Sequence, residues 1–334
     1  MRYDLSLSPG ALRLALAVTV TLTHYLPMGG LQMYLPLDGV PVYGFFFLSG
    51  YWIAQLWIDK YQNTANPLLT FYLSRSWRIY PIATVSTLLM FALSNRDWSG
   101  LVSNLILIGQ NGNPQAPTLI NPPAWSLAIE LQFYAIAPFF VMSMRNTVAT
   151  VAVLMIGLVF WLIYARGVNQ IYLFHFVFLF GLGVAFAQRP QHKLANALAP
   201  YSLVAVALCV VGAGNAAIGA FVAQHGLLRL AAIAIGLLGL PYVAASLGKP
   251  SHSIDRTLGD LAYPVYLMHW PAMVIVDRWR FGGRAALSVA LTLTLGLSLA
   301  IHFAFDRPLE RMRRGFVAGR MAALPARTAG ATAP

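Results

Sequence analysis

Apolar residues run along this chain in long, nearly unbroken blocks, without the alternation of a strand or the narrow stripe of a soluble surface helix. The blocks fall at 11–28, 40–58, 79–95, 124–142, 148–164, 171–187, 200–214, 227–247, 260–276 and 285–305. Most approach the roughly 20 residues that carry a helix across a bilayer core. The pattern predicts an all-α fold, a polytopic transmembrane helical bundle of about ten helices. Helices apolar all round do not reveal which face points inward. The stretch 99–109, SGLVSNLILIG, is too short to span and reads as a surface or re-entrant half-helix. No internal repeat is evident. The end of the chain, 315–334, is rich in Ala, Gly, Arg and Thr and reads as a disordered cytoplasmic tail on a transmembrane domain of residues 1–314.

Composition agrees with the pattern. Only 10% of the 334 residues are charged, against about 25% in soluble proteins, and mean hydropathy is +0.66. The N-terminus does not read as a cleavable signal, because Arg13 interrupts the first apolar run and no clear small-residue cleavage site follows. The single cysteine, Cys209, rules out an intrachain disulfide or a cysteine metal cluster and reads as a small core residue. The net charge of +12 does not point to nucleic acid. The basic residues sit at helix ends and in the tail, as orientation signals do. With the N-terminus inside, 16 of the 22 Lys and Arg residues fall on the cytoplasmic side and 6 outside. Both termini are therefore expected in the cytoplasm, with the basic loop Asp277–Arg284 as the local exception.

Against this apolar background a few polar residues stand out. Arg13 and His24 lie on one expected helix, separated by LALAVTVTLT. Eleven steps of about 100° bring them to the same face, roughly 16 Å apart along the axis. Ionisable groups at such depth usually face a bundle interior or a wet cavity. The segment FYLSRSWRIYP, 71–81, reads as the loop after the second helix, with Arg75 and Arg78 spaced to be neighbours if helical. Two guanidiniums suit a phosphate-rich ligand; an anchor to lipid phosphates is the plainer alternative. The loop QNGNPQAPTLINPP, 110–123, is expected outside and leads into AWSLAIELQFYAIAPFF. Glu130 then lies about two turns inside the fourth span, at a depth similar to His24. An imidazole–carboxylate pair is one reading of it, and a partner for an intramembrane Arg is the other. His175, His269 and His302 read first as hydrogen-bonded packing residues. The last span ends in AFDRPLERMRR, where Asp306 and Arg307 meet the cytoplasm.

In this order the motifs resemble the membrane-bound acyltransferase-3 family, whose members O-acylate glycans in bacterial inner membranes. Arg13 and His24 match its basic-residue-then-histidine motif. Gly44–Tyr51, GFFFLSGY, looks like its phenylalanine-rich LSG segment. Arg75-Ser-Trp-Arg78, followed by Ile-Tyr-Pro, looks like its paired-arginine segment. Trp125-Ser-Leu-Ala-Ile-Glu130-Leu-Gln-Phe-Tyr134 matches its WSL-x-x-E-x-QFY segment, and Tyr266-Leu-Met-His269-Trp-Pro271 its late YLxHWP segment. The likeness covers nearly all of 11–310. Two positions depart from it: a second Glu common in the family is Leu131, and its usual Glu before Arg-Pro is Asp306.

The resemblance implies an O-acyltransferase of the bacterial inner (plasma) membrane that moves an acyl group, usually acetyl, from cytoplasmic acetyl-CoA to a hydroxyl of a cell-surface or exported polysaccharide or a lipid-linked oligosaccharide. His24 would act as general base or transient acyl acceptor, with Glu130 and Arg13 completing the catalytic set. Arg75 and Arg78 would hold the acyl-CoA phosphates. Ser49, Trp125, Ser126, Tyr266 and His269 are candidates for supporting the site. No metal is expected. The residues alone also admit a proton-coupled transporter or a flippase for lipid-linked glycans.

Overall fold

The structure, a computed structural model, describes residues 6–94, 98–110, 119–168 and 171–322. The described residues are helical, with no strand. The order is α1 (Pro9–Tyr25), α2 (Val40–Asp59), α3 (Pro67–Leu93), a short α4 (Leu101–Leu105), α5 (Ala124–Ser143), α6 (Thr147–Ala165), α7 (Val177–Gln188), α8 (His192–Ala213), α9 (Ala216–Gln224), α10 (Leu228–Ser246), α11 (Ser253–Arg278), α12 (Gly283–Ile301) and α13 (Arg307–Ala322). Helices are what an apolar chain must form in lipid, where each backbone polar group needs a partner within its own segment. Proline stands in the first turn of α1, α2 and α3, where its missing N–H costs nothing.

Seven helices among the described residues are long and apolar enough to cross a membrane, fewer than the ten or so expected. The three that fall short are α2, whose Tyr, Trp and Gln side chains dilute its hydropathy, α7, which has only 12 residues, and α11, whose first turns carry Asp255, Arg256 and Asp260. A correction concerns 71–81. This segment is part of α3 and not a loop, because arginines oppose burial in lipid but do not oppose helix formation. Of the segment 315–334, residues 315–322 complete α13 and 323–334 lie outside the described residues, as do 111–118 of the loop before α5.

The outward faces match a lipid solvent. Val148, Val151, Met155 and Val159 of α6 are exposed, as are Val204, Leu208 and Val211 of α8, while Trp161 of α6 is fully buried. The protein is a multi-pass membrane protein. One end of the bundle carries the starts of α1, α3 and α11, the ends of α2 and α5, and α13. This basic end holds Lys60, Arg256, Arg313 and Arg314.

Small residues and one carboxylate set the register of the central pair. Helices α1 and α11 run parallel from the basic end. A Cβ at Gly10 would overlap the Asp255 carbonyl, and one at Gly259 would come within 3.0 Å of the Gly10 Cα, so the two backbones touch only because both positions are glycine. The start of α1 has no side-chain cap of its own. Asp255 supplies one from α11, accepting from the Ala11 amide at 2.8 Å and from Ser8 at 2.5 Å, while its other oxygen accepts from Ser251 at 2.6 Å. This satisfies one of the orphan amides of the first turn and places a negative charge at the positive end of the helix. At the other end the buried Tyr25 hydroxyl donates to the His269 carbonyl at 2.5 Å. Glycines 50 and 183 allow the same close approach between α2 and α7.

Candidate active site

A cavity of about 520 Å3 opens at the basic end and runs inward between α1, α2, α3, α5 and α11. Its wall includes both Lys60, at the end of α2, and Val42, at the start. Eighteen residues of helix make that wall about 27 Å long. Phe45, Phe46, Leu48 and Trp52 give α2 an apolar lining, and the innermost polar pair is Ser126 with Tyr266, whose hydroxyls lie 2.8 Å apart.

The arginines singled out in the sequence meet here. Arg13, Arg75 and Arg78 all line the cavity, but they are held differently. Arg75 is 7% exposed and donates to the Tyr61 hydroxyl at 2.6 Å. Arg78 pairs with Asp306 at 3.1 Å, and that carboxylate also meets His302 Nδ1 at 3.1 Å across a π-helical turn, His302–Asp306. Arg13 runs against Gly259, where a Cβ would approach its Nη1 to 3.3 Å. Its guanidinium donates no hydrogen bond among the described residues. Asp260 and Glu130 are the carboxylates within its electrostatic reach.

Glu130 and His24 are not brought together. Glu130 accepts from Ser49 at 2.8 Å and from the Tyr134 hydroxyl, and Tyr134 in turn stands beside Arg75. His24, half-buried at the last turn of α1, stacks on His269 with ring centroids 5.1 Å apart and meets Trp270 edge-on at 5.1 Å. The reason is depth. His269 lies one turn beyond Tyr266 towards the far end, and Glu130 lies one turn beyond Ser126 towards the basic end, so the two sites are separated by about 10 Å along the axis. Trp125 packs on Phe46 and Phe176, bracing the wall beside Ser126.

Both imidazoles have fixed tautomers. His24 Nδ1 lies 2.9 Å from the Val20 carbonyl, and His269 Nδ1 lies 2.6 Å from the Tyr266 carbonyl. Carbonyls only accept, so each Nδ1 carries the proton and each Nε2 keeps its lone pair. Nε2 of His269 is buried without a partner. His24 does not line the cavity; Tyr266 and His269 lie between them.

The sequence missed several residues that hold the arginines. Tyr61, Tyr134 and Tyr263 connect the arginines. Tyr61 lies 2.8 Å from Ser74, and Ser74 accepts from Arg313 of α13 at 2.7 Å. Tyr134 stood inside the matched helix segment, and only that could have drawn attention to it. Tyr61 and Arg313 meet across 252 positions, a pairing no local pattern reveals. Of the other histidines, His175 accepts the Tyr172 amide at 3.0 Å and His302 meets Asp306.

Residues 8–304 match the model of the acyltransferase-3 family, described as an acyltransferase domain. A curated protein of Komagataeibacter xylinus, provisionally named membrane-bound transacylase BcsY, is 25% identical over 305 residues, covering 83% of this chain and 78% of its own. No solved structure matches the chain. With a family domain that spans nearly all of its helices, the chain belongs to the acyltransferase-3 family and is a membrane acyltransferase.

Proposed function

We propose that this enzyme takes an acetyl group from acetyl-CoA in the bacterial cytoplasm and transfers it to a hydroxyl of an exported or cell-surface polysaccharide. The observation that carries the reading is the long cavity with a cationic mouth and an apolar wall that leads towards two imidazoles with free Nε2 atoms. Acyl-CoA has the matching form, a polyanionic head on a long, thin arm that ends in the thioester. The excess of Lys and Arg makes the basic end the cytoplasmic one, so both termini face the donor in the inner membrane. The relative's name, a transacylase, supports the reaction class. The polysaccharide acceptor rests on the family resemblance alone.

In this mechanism the phosphates are held at the mouth and by Arg13, Arg75 and Arg78. The arm runs along α2, and the thioester meets the Ser126–Tyr266 pair. The acceptor hydroxyl enters from the far end, where His24 is accessible. His24 Nε2 removes the hydroxyl proton as the oxygen attacks the thioester carbonyl. The C–O ester bond forms, the C–S bond breaks, and the proton passes to the departing CoA thiolate. His269, stacked on His24, positions the ring. The Ser126–Tyr266 contact separates donor from acceptor until both are bound, which limits hydrolysis of the thioester. Glu130 offsets the charge of the intramembrane arginines through Ser49 and Tyr134.

NMR of surface and secreted polysaccharides tests the reading in cells. O-acetyl signals present with the wild-type protein should vanish in its absence and under His24→Ala. Identical spectra in all three strains would refute it.

A further inference from the structure

Helix α13 begins at Arg307, just beyond the family domain of 8–304. Its Glu310, Arg313 and Arg314 nevertheless line the cavity mouth. The helix is seated by specific contacts: Phe316 packs on Trp77 at 6.2 Å, Val317 is buried, and the Arg320 carbonyl accepts the Ala65 amide at 3.2 Å.

The seated face presents two guanidiniums aimed at one acceptor. Arg313 donates through Nε and Nη2 to the two oxygens of Glu310 at 2.8 and 2.6 Å, and through Nη1 to Ser74. Arg314 donates through Nε to Glu310 at 2.8 Å and lies 3.9 Å from Asp260. Two forks converging on a small oxyanion is also the geometry that binds phosphate. Lys60 and Arg256 stand on the same rim. Four cations face two carboxylates there, so the rim remains positive after its internal pairs are counted.

We infer that Arg313 and Arg314 of α13 form the subsite for the ribose phosphate of the acyl-CoA donor, with Glu310 orienting the two guanidiniums. The inference rests on the donor proposed above. Acyl-CoA carries this phosphate at the nucleotide end, remote from its thioester and separate from the pyrophosphate. A donor whose thioester points inward leaves that end at the mouth, where α13 lies, while the pyrophosphate reaches the inner arginines. An element outside the family domain thus contributes to donor recognition in this chain.

The test measures binding of acetyl-CoA and of acetyl-3′-dephospho-CoA to the full chain in lipid nanodiscs. Arg314→Ala is the informative variant, because its side chain is 60% exposed and the helix can seat without it. Wild-type protein should bind the dephospho donor about tenfold more weakly, the scale of one charge-assisted contact. Arg314→Ala should bind acetyl-CoA several-fold more weakly than wild type and should narrow the gap between the two donors, with Arg313 keeping part of it. Discrimination undiminished in the variant, or absent from wild type, overturns the subsite. Wild-type protein that binds neither donor overturns the donor assignment, and the subsite with it.

Discussion

At the scale of single residues, the proposed mechanism puts the proton transfer at His24 and charge compensation at Glu130. His24→Ala should lower transfer by at least about a hundredfold, the usual size of general-base catalysis, while folded yield holds, because the ring is half-buried and its hydrogen bond is to its own helix. Turnover near the wild-type rate would make His24 a packing residue. Glu130→Gln separates charge from shape. The amide can still accept from Ser49 and Tyr134 but no longer offsets Arg13. The expected outcome is a raised acetyl-CoA KM or a lower folded yield, with the pH dependence of kcat unchanged. A displaced acidic limb of the pH–rate profile would instead couple Glu130 to the imidazole. The residues themselves were legible: Arg13, His24, Arg75, Arg78, Glu130 and His269 stand out as polar groups in apolar runs. Their partners were not. Counting along each helix put Glu130 level with His24, but only the packing of the helices shows that His24 stacks on His269 while Glu130 meets Ser49 and Tyr134.

At the scale of elements, the positions of these residues depend on how α1 sits against α11. Asp255 fixes that register. Burial opposes its charge, but hydrogen bonds from Ser251, Ser8 and the α1 amides outweigh it and hold the carboxyl below its usual range. A lowered pKa stabilises the fold above the ordinary carboxylate range, and the contribution is lost as pH falls through the lowered value. Asp255→Ala should therefore cost about 1–3 kcal/mol near neutral pH, seen as a lower melting temperature in detergent, and the gap from wild type should narrow in acid. A gap independent of pH would contradict the capping role. Helices α2, α5 and α6 begin and end within about two residues of their apolar blocks, because in lipid the hydrophobic run is itself the element. Helix α3 starts 12 residues before its block, at Pro67 and not at 79, since arginines do not oppose helix formation. Helix α13 was not legible as part of the site. RPLERMRR reads as a solvated end, and its contacts with Tyr61 and Ser74 span most of the chain.

At the scale of the whole molecule, a polar network runs from Ser49 through Glu130, Tyr134, Arg75, Tyr61, Ser74 and Arg313 to Glu310. It gives Arg75 and Arg313 hydrogen-bond partners along one cavity, as charges held away from water require. The cavity opens at the basic end and the histidine pair lies beyond its inner end, with the Ser126–Tyr266 contact between them. That division suits a reaction whose two substrates arrive from opposite sides of a membrane. The most direct test uses purified full-length protein in nanodiscs, radiolabelled acetyl-CoA and oligosaccharide from the host's exported polysaccharide. The account predicts CoA release matched by labelled ester on the glycan, with neither product formed by folded His24→Ala. Folded wild-type protein that releases no CoA and labels no glycan, yet carries that glycan across vesicle membranes, would contradict it.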